Sequence, residues 1–168
     1  MKILVDERKV IFGIDIMPGS SPSSSKEAKY SLVILNDNRV IGEYENAPLR
    51  RIIRLAWEYR PSIIAVDNIF ELGESEKDVA KIISLLPPTT SIVQVTASRE
   101  GFKKLCEVAF KEGIYLESHP PPLKAAYISA ILASRGRGLR IKAVEAVSYT
   151  HLRAHETSLH LVCRLLLE

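Results

Sequence analysis

Apolar positions recur along this chain with two different periods, and the switches between them mark out its elements. Val10-Ile11-Phe12-Gly13-Ile14-Asp15-Ile16 has the length and apolarity of a buried strand, with an acid next to its end. Pro18 to Lys29 is rich in Pro, Gly and Ser and reads as a loop or a long hairpin connection. Tyr30 to Leu35 and Arg39 to Tyr44 read as strands joined through Asn36-Asp37-Asn38, residue types that tolerate positive φ in a tight turn. These three strands are expected to form an antiparallel meander. Leu49, Ile52, Ile53, Ala56 and Trp57 then recur at helical spacing, with Arg50, Arg51, Arg54 and Glu58 on the other side and Pro61 as the stop.

The second half alternates strands and helices. Ile63-Ile64-Ala65-Val66-Asp67 is another apolar run that ends in an acid. Val79, Ile82, Ile83 and Leu86 mark a helix that stops before Pro87-Pro88, and Ile92 to Val95 reads as a fifth strand. Phe102, Leu105, Cys106, Ala109 and Phe110 line a helix with Gly113 as its C-cap, and Ile114 to Leu116 reads as a short strand. Pro121 to Ser134 is the last helix, with Leu123, Ala126, Tyr127, Ala130 and Ile131 facing inward. The order βββαβαβα(β)α predicts an α/β protein. Its mixed sheet is a three-strand antiparallel meander followed by parallel strands, with helices on the faces.

Bulk properties narrow the setting. The chain has 168 residues, 46% of them hydrophobic, enough for one domain with a sizeable core. No apolar run is long enough to span a bilayer, and Met1 to Asp6 is too short and too quickly charged for a secretory signal. Cys106 and Cys163 are too few for a disulfide framework, so a reducing cytoplasm is the expected location. The net charge of +3 allows a nucleic-acid partner without arguing for one.

The last stretch reads differently. Val147-Ser148-Tyr149-Thr150-His151-Leu152-Arg153-Ala154-His155-Glu156-Thr157 resembles one reading frame of a transposon-based DNA-sequencing adapter. After a variable index at Ser158 and Leu159, His160 to Glu168 resembles the constant adapter end. Residues 147–168 are therefore set aside as an adapter-derived tail, and the natural domain is expected to continue past Ala146. His151 and His155 at helical spacing, with Glu156, His160 and Cys163 nearby, imitate a zinc site that this origin explains away. The tail carries Arg153, Arg164, Glu156 and Glu168, so the charge of residues 1–146 is the same without it.

The chemistry rests on the two strand-end acids. A carboxylate at the end of an apolar strand is costly unless something offsets its desolvation, and a metal ion is the usual partner. Two such strands meeting at one sheet edge would make a divalent-metal site from Asp15 and Asp67, with Glu71 on the turn after Asp67 as a third ligand. The plainer alternatives are a loop cap or arginine partner for Asp15, and a helix N-cap for Asp67 with Asn68. Arg135, Arg137, Arg140 and Lys142 form a basic run that would track a phosphate backbone. The same run fits a solvated helix end whose cations suit the macrodipole, and this simpler view is slightly favoured. His119 reads as a loop residue, with a general base as the alternative, and Cys106 as core. The serines of Ser20 to Ser25 lack the glycine spacing of a phosphate-binding P-loop.

The element order is similar to the ribonuclease H-like fold. Gly13-Ile14-Asp15-Ile16-Met17-Pro18-Gly19-Ser20-Ser21-Pro22 and Ala65-Val66-Asp67-Asn68-Ile69-Phe70-Glu71-Leu72 resemble the archaeal domain-of-unknown-function family 460. Leu85-Leu86-Pro87-Pro88, Val93-Gln94-Val95-Thr96 and Pro122-Leu123-Lys124-Ala125-Ala126-Tyr127 fit the same family, so the resemblance covers roughly residues 8–142. It implies a nuclease related to the RuvC and YqgF resolvases. Such an enzyme would use Mg²⁺ or Mn²⁺ to cut structured DNA or RNA, with Asp15, Asp67 and Glu71 as metal ligands. RuvC-like nucleases also take acids from the last helix, but Pro121 to Ser134 contains none. The missing ligand is then Glu71, Glu117 or a residue beyond Ala146, or the site is degenerate. The rival expectation is a catalytically inactive ribonuclease H-like module that binds nucleic acid or protein. A third, an actin-like nucleotide-phosphate binder, lacks its second glycine-rich loop.

Overall fold

Strand alternation sorts β1 (Val10–Ile16) between two cores. Val10, Phe12 and Ile14 pack on one face of the sheet, with Leu32 and Ile34 of β2 (Lys29–Asn36) and Ile64 and Val66 of β4 (Ile63–Val66). That face is covered by α1 (Leu49–Tyr59), through Ile52 and Ala56, and α2 (Glu76–Ser84), through Val79 and Ile83. Ile11, Val33, Leu35, Ile63, Ala65 and Val93 turn to the other face, under Leu123, Ala126, Tyr127 and Ala130 of α4 (Pro121–Ser134). The computed structural model describes residues 10–20, 27–96, 102–116 and 121–142. Glu117, His119, Glu145, most of the Ser20 to Ser25 loop and the tail 147–168 lie outside them.

The six strands are ordered β3-β2-β1-β4-β5-β6, with β3 at Arg39–Pro48, β5 at Ser91–Gln94 and β6 at Leu139–Lys142. β1, β2 and β3 pair antiparallel; β1, β4 and β5 run parallel. This is the mixed sheet with flanking helices that the element order predicts, in a ribonuclease H-like arrangement. The β2–β3 turn holds Asp37 and Asn38 at φ of 53° and 69°, the left-handed pair that a tight hairpin requires.

Two packing details set the position of α4. The helix is apolar nearly all round because it has two partners, the sheet on one side and Leu105 and Ala109 of α3 (Phe102–Lys111) on the other. It also presses close to β1. A Cβ on Gly13 would collide with the Ala126 carbonyl oxygen and come within 2.8 Å of the Ala130 Cβ. Only glycine permits that approach, two residues before Asp15.

Several expectations are corrected. Residues 114–116 form no strand; they leave a turn after α3, and Ile114 drops into the core between α3 and α4. The extra strand is β6, after α4, pairing antiparallel with β5. Trp57 is not on the buried face of α1: Leu55 takes that place, and Trp57 stands 42% exposed with its Nε1 donating to the Leu85 carbonyl at 2.8 Å. Phe110 is likewise exposed, and Cys106 is partly exposed rather than sealed in the core. Among the described residues no helix is long and apolar enough to cross a membrane.

Candidate metal centre

Register brings the two strand-end acids together. Gly13 pairs with Ala65 and Ile14 with Val66 in the parallel β1–β4 ladder, so Asp15 and Asp67 each sit one step beyond the last pair. Neighbouring strands lie about 4.8 Å apart, so this places the two residues side by side at one sheet edge. Ala133 and Ser134 border a cavity with Ile11 and Ile63, at the opposite strand ends. With Ala126 and Ala130 over Gly13, α4 thus runs against β1, its N-terminal half toward the acids.

Glu71 arrives from the other direction. A single 3-10 turn, Ile69–Glu71, follows Asp67. Asn68 caps it, its Oδ1 accepting from Phe70 N–H at 2.9 Å. Gln94 at the end of β5 accepts from Ile69 N–H at 2.8 Å, and the Tyr30 hydroxyl on β2 donates to the Glu71 carbonyl at 2.6 Å. The Glu71 carboxylate in turn accepts from the Ile16 N–H at 3.4 Å, just past Asp15. Asp67 is 3% exposed and accepts from the Thr96 hydroxyl.

The electrostatics are those of a crowded, uncompensated set. Burial and then the neighbouring Asp67 charge push Asp15 up to about 7. Burial, then Asp15 and Asp67, push Glu71 up to about 8, against the lowering effect of the Ile16 hydrogen bond. Burial also raises Asp67, opposed by the Thr96 hydroxyl. Among the described residues no basic side chain pairs with any of the three. The neutral form is thus favoured over its ordinary share at all three, and a cation among them would oppose that shift.

The donors are hard oxygens, the type Mg²⁺ and Mn²⁺ prefer, and Mg²⁺ keeps several waters, so one or two carboxylates can hold it. Among the described residues, no three His, Cys, Asp or Glu side chains converge tightly enough to form a ready-made metal cage. The trio is close enough to feel one another's charge, and any ion would have to draw it in further. Beside it, Met17, Gly19, Ser20, Lys29 and Asn46 border a cavity of about 520 Å³ under the β1–β2 connection.

The basic run is not part of this edge. Arg135 donates to the Glu112 carbonyl at 2.8 Å, and both Arg135 and Arg137 pair with the Glu112 carboxylate. Arg140, on β6, borders the cavity at the far strand ends with Ile11 and Asp37. Lys142 is placed by its backbone opposite Ser91, and its side chain lies outside the described set. The acids and the basic run are thus separate features. Sequence reasoning missed the supports Tyr30, Gln94 and Thr96. A tyrosine and a glutamine inside otherwise apolar strands were the available signal.

Fold and edge together define an α/β, ribonuclease H-like domain with three coupled carboxyl groups at the carboxyl end of adjacent parallel strands. No protein-family model matches the chain, and no curated protein matches its sequence.

Proposed function

We propose that this chain is a metal-dependent nuclease domain that hydrolyses phosphodiester bonds in structured DNA or RNA, in the manner of the RuvC and YqgF relatives that family 460 resembles. One observation carries the reading: burial raises the proton affinity of Asp15, Asp67 and Glu71, neighbouring carboxylates add to it at Asp15 and Glu71, and no basic side chain among the described residues offsets them. A divalent cation supplies such a set with Lewis acidity toward a phosphate and its attacking water. Asp15 and Asp67 provide the primary oxygen donors. Thr96 orients Asp67 by donating to it. Ile16 N–H and Tyr30 hold Glu71 by its carboxylate and its backbone.

The second reading is a catalytically inactive ribonuclease H-like module that binds nucleic acid or protein. It draws support from the absence of acids in α4 and of a tight three-ligand group among the described residues. Cleavage of labelled branched and single-stranded substrates by the full chain, in Mg²⁺, Mn²⁺ or EDTA, separates the two. Metal-dependent cleavage should fall by more than about a hundredfold in Asp15→Asn, because even outer-shell partners of metal ligands cost 10–100-fold. Cleavage that survives Asp15→Asn overturns the nuclease assignment. Retention of nucleic acid without turnover supports the module.

A further inference from the structure

Two rings on the α3 side of the molecule stand in water. Phe110 is 68% exposed and Tyr115 is 67% exposed. They meet edge to face, with centroids 5.8 Å apart and planes at 85°. The chain reversal between them is rigid. Gly113 sits at φ 76°, its N–H bonded to the Phe110 carbonyl and the Ile114 N–H to the Ala109 carbonyl, the paired bonds of a Schellman turn. That turn buries Ile114 and leaves Tyr115 outside against Phe110.

A second helix ends beside it in the same way. Gly136 sits at φ 81°, with its N–H bonded to the Ala133 carbonyl and the Arg137 N–H to the Leu132 carbonyl. Glu112, between the two ends, takes both Arg135 and Arg137. With Lys111 also exposed, and Glu107 paired to Lys104 one turn earlier, this corner carries four cations against two acids. The other exposed large apolar side chains among the described residues, Val40, Ile41, Trp57 and Leu85, lie on β3, α1 and the turn after α2. Among the described residues the rings therefore have only the partly buried Val108 and Leu116 as aliphatic neighbours, too little for the apolar centre of a protein interface. Flat rings on a turn of net positive charge match stacked bases with their phosphates.

We infer that Phe110 and Tyr115, flanked by Lys111, Arg135 and Arg137, form a stacking platform for the unpaired bases of single-stranded nucleic acid. The inference deepens the nucleic-acid reading above and rests on it for the class of ligand.

Fluorescence anisotropy of a labelled oligothymidylate with the full chain in EDTA tests this without any cleavage. The probe should bind more tightly than the same strand annealed to its complement. Phe110→Ala with Tyr115→Ala should weaken binding by roughly tenfold or more, given the usual cost of losing a base–aromatic stack. Phe110→Tyr should retain it. Both rings are mostly in solvent, so circular dichroism should show these variants folded. Binding unchanged in the double alanine variant, preference for duplex, or no binding overturns the platform. So does loss of self-association in that variant with oligonucleotide binding intact, which would make the rings a protein contact. The Asp15→Asn cleavage assay is independent: a platform that fails while cleavage obeys Asp15 leaves the nuclease reading standing, and the converse leaves the platform.

Discussion

Glu112 and the trio Asp15, Asp67 and Glu71 keep opposite company. Glu112 sits near the surface with two arginines on it. The trio sits at the carboxyl end of β1 and β4, two of its members pushed up to about 7 and about 8, and among the described residues only N–H and O–H donors support it. Among the described residues, the counter-charges stand on the partly exposed acid and not on the trio. A buried acid without a counter-charge costs stability whenever it is ionised. Under the proposed function, the buried acids are matched to a cation from outside the chain.

The strongest way to disturb the trio is from beneath α4. Gly13→Ala drives a methyl into the Ala126 carbonyl, and backbone cannot give way as a side-chain tip does. The expected loss is about 1–3 kcal/mol or more, read from the urea midpoint, with the acid edge loosened. A variant as stable as the parent would mean that α4 does not press on β1.

Next comes pH. Asp15 and Glu71 bind protons more tightly folded than unfolded, where their ordinary values are 3.8 and 4.5. The folded state thus holds more protons across that interval, and stability falls as pH rises. Their contribution is complete below about pH 4 and lost as pH climbs through about 7 and then about 8. In EDTA the melting temperature should drop by several degrees between pH 5 and 9, since ~1 kcal/mol moves the midpoint by roughly 2–8 °C in domains of this size range. Asp15→Asn should flatten that slope and raise the alkaline melting point. Mg²⁺ should do the same for the parent and not for the variant. A parent that melts identically with and without Mg²⁺ at pH 9 breaks the comparison.

The smallest effect sharpens it. Glu112→Gln removes ion pairs to half-exposed arginines and should cost at most about 1 kcal/mol, vanishing in high salt. Removing one negative charge is then slightly destabilising at Glu112 and stabilising at Asp15. The two signs, measured in one melting series, test whether the regions differ as described.

Most of the fold was legible because its signals are local. The meander follows from alternation and from Asn36-Asp37-Asn38, and the acid pair from two apolar runs ending alike. What escaped is what depends on a distant partner. Ser31 and Gln94 are polar and buried, and nothing nearby in sequence says that Gln94 serves the Ile69 N–H. Helical periodicity enrolled Trp57 and Phe110 in cores that end before reaching them. β6 was hidden in a basic, glycine-punctuated run that looks like a frayed helix end. Its Gly138, at φ 97°, lies so near the Gln94 carbonyl that a Cβ would stand 2.5 Å away, a contact that only the folded sheet reveals. Glu71 was visible as an acid near Asp67, but its aim toward β1 was not, because Tyr30 and Gln94 set it.

That tether has a further meaning. The turn bearing Glu71 is moored to strands on both flanks, by Tyr30 on β2 and Gln94 on β5. A support fastened on either side is stiff, and stiffness at an ion's resting place converts differences of radius into differences of affinity. Size discrimination at this edge would then be a property of the sheet itself, written in two side chains that never touch the guest.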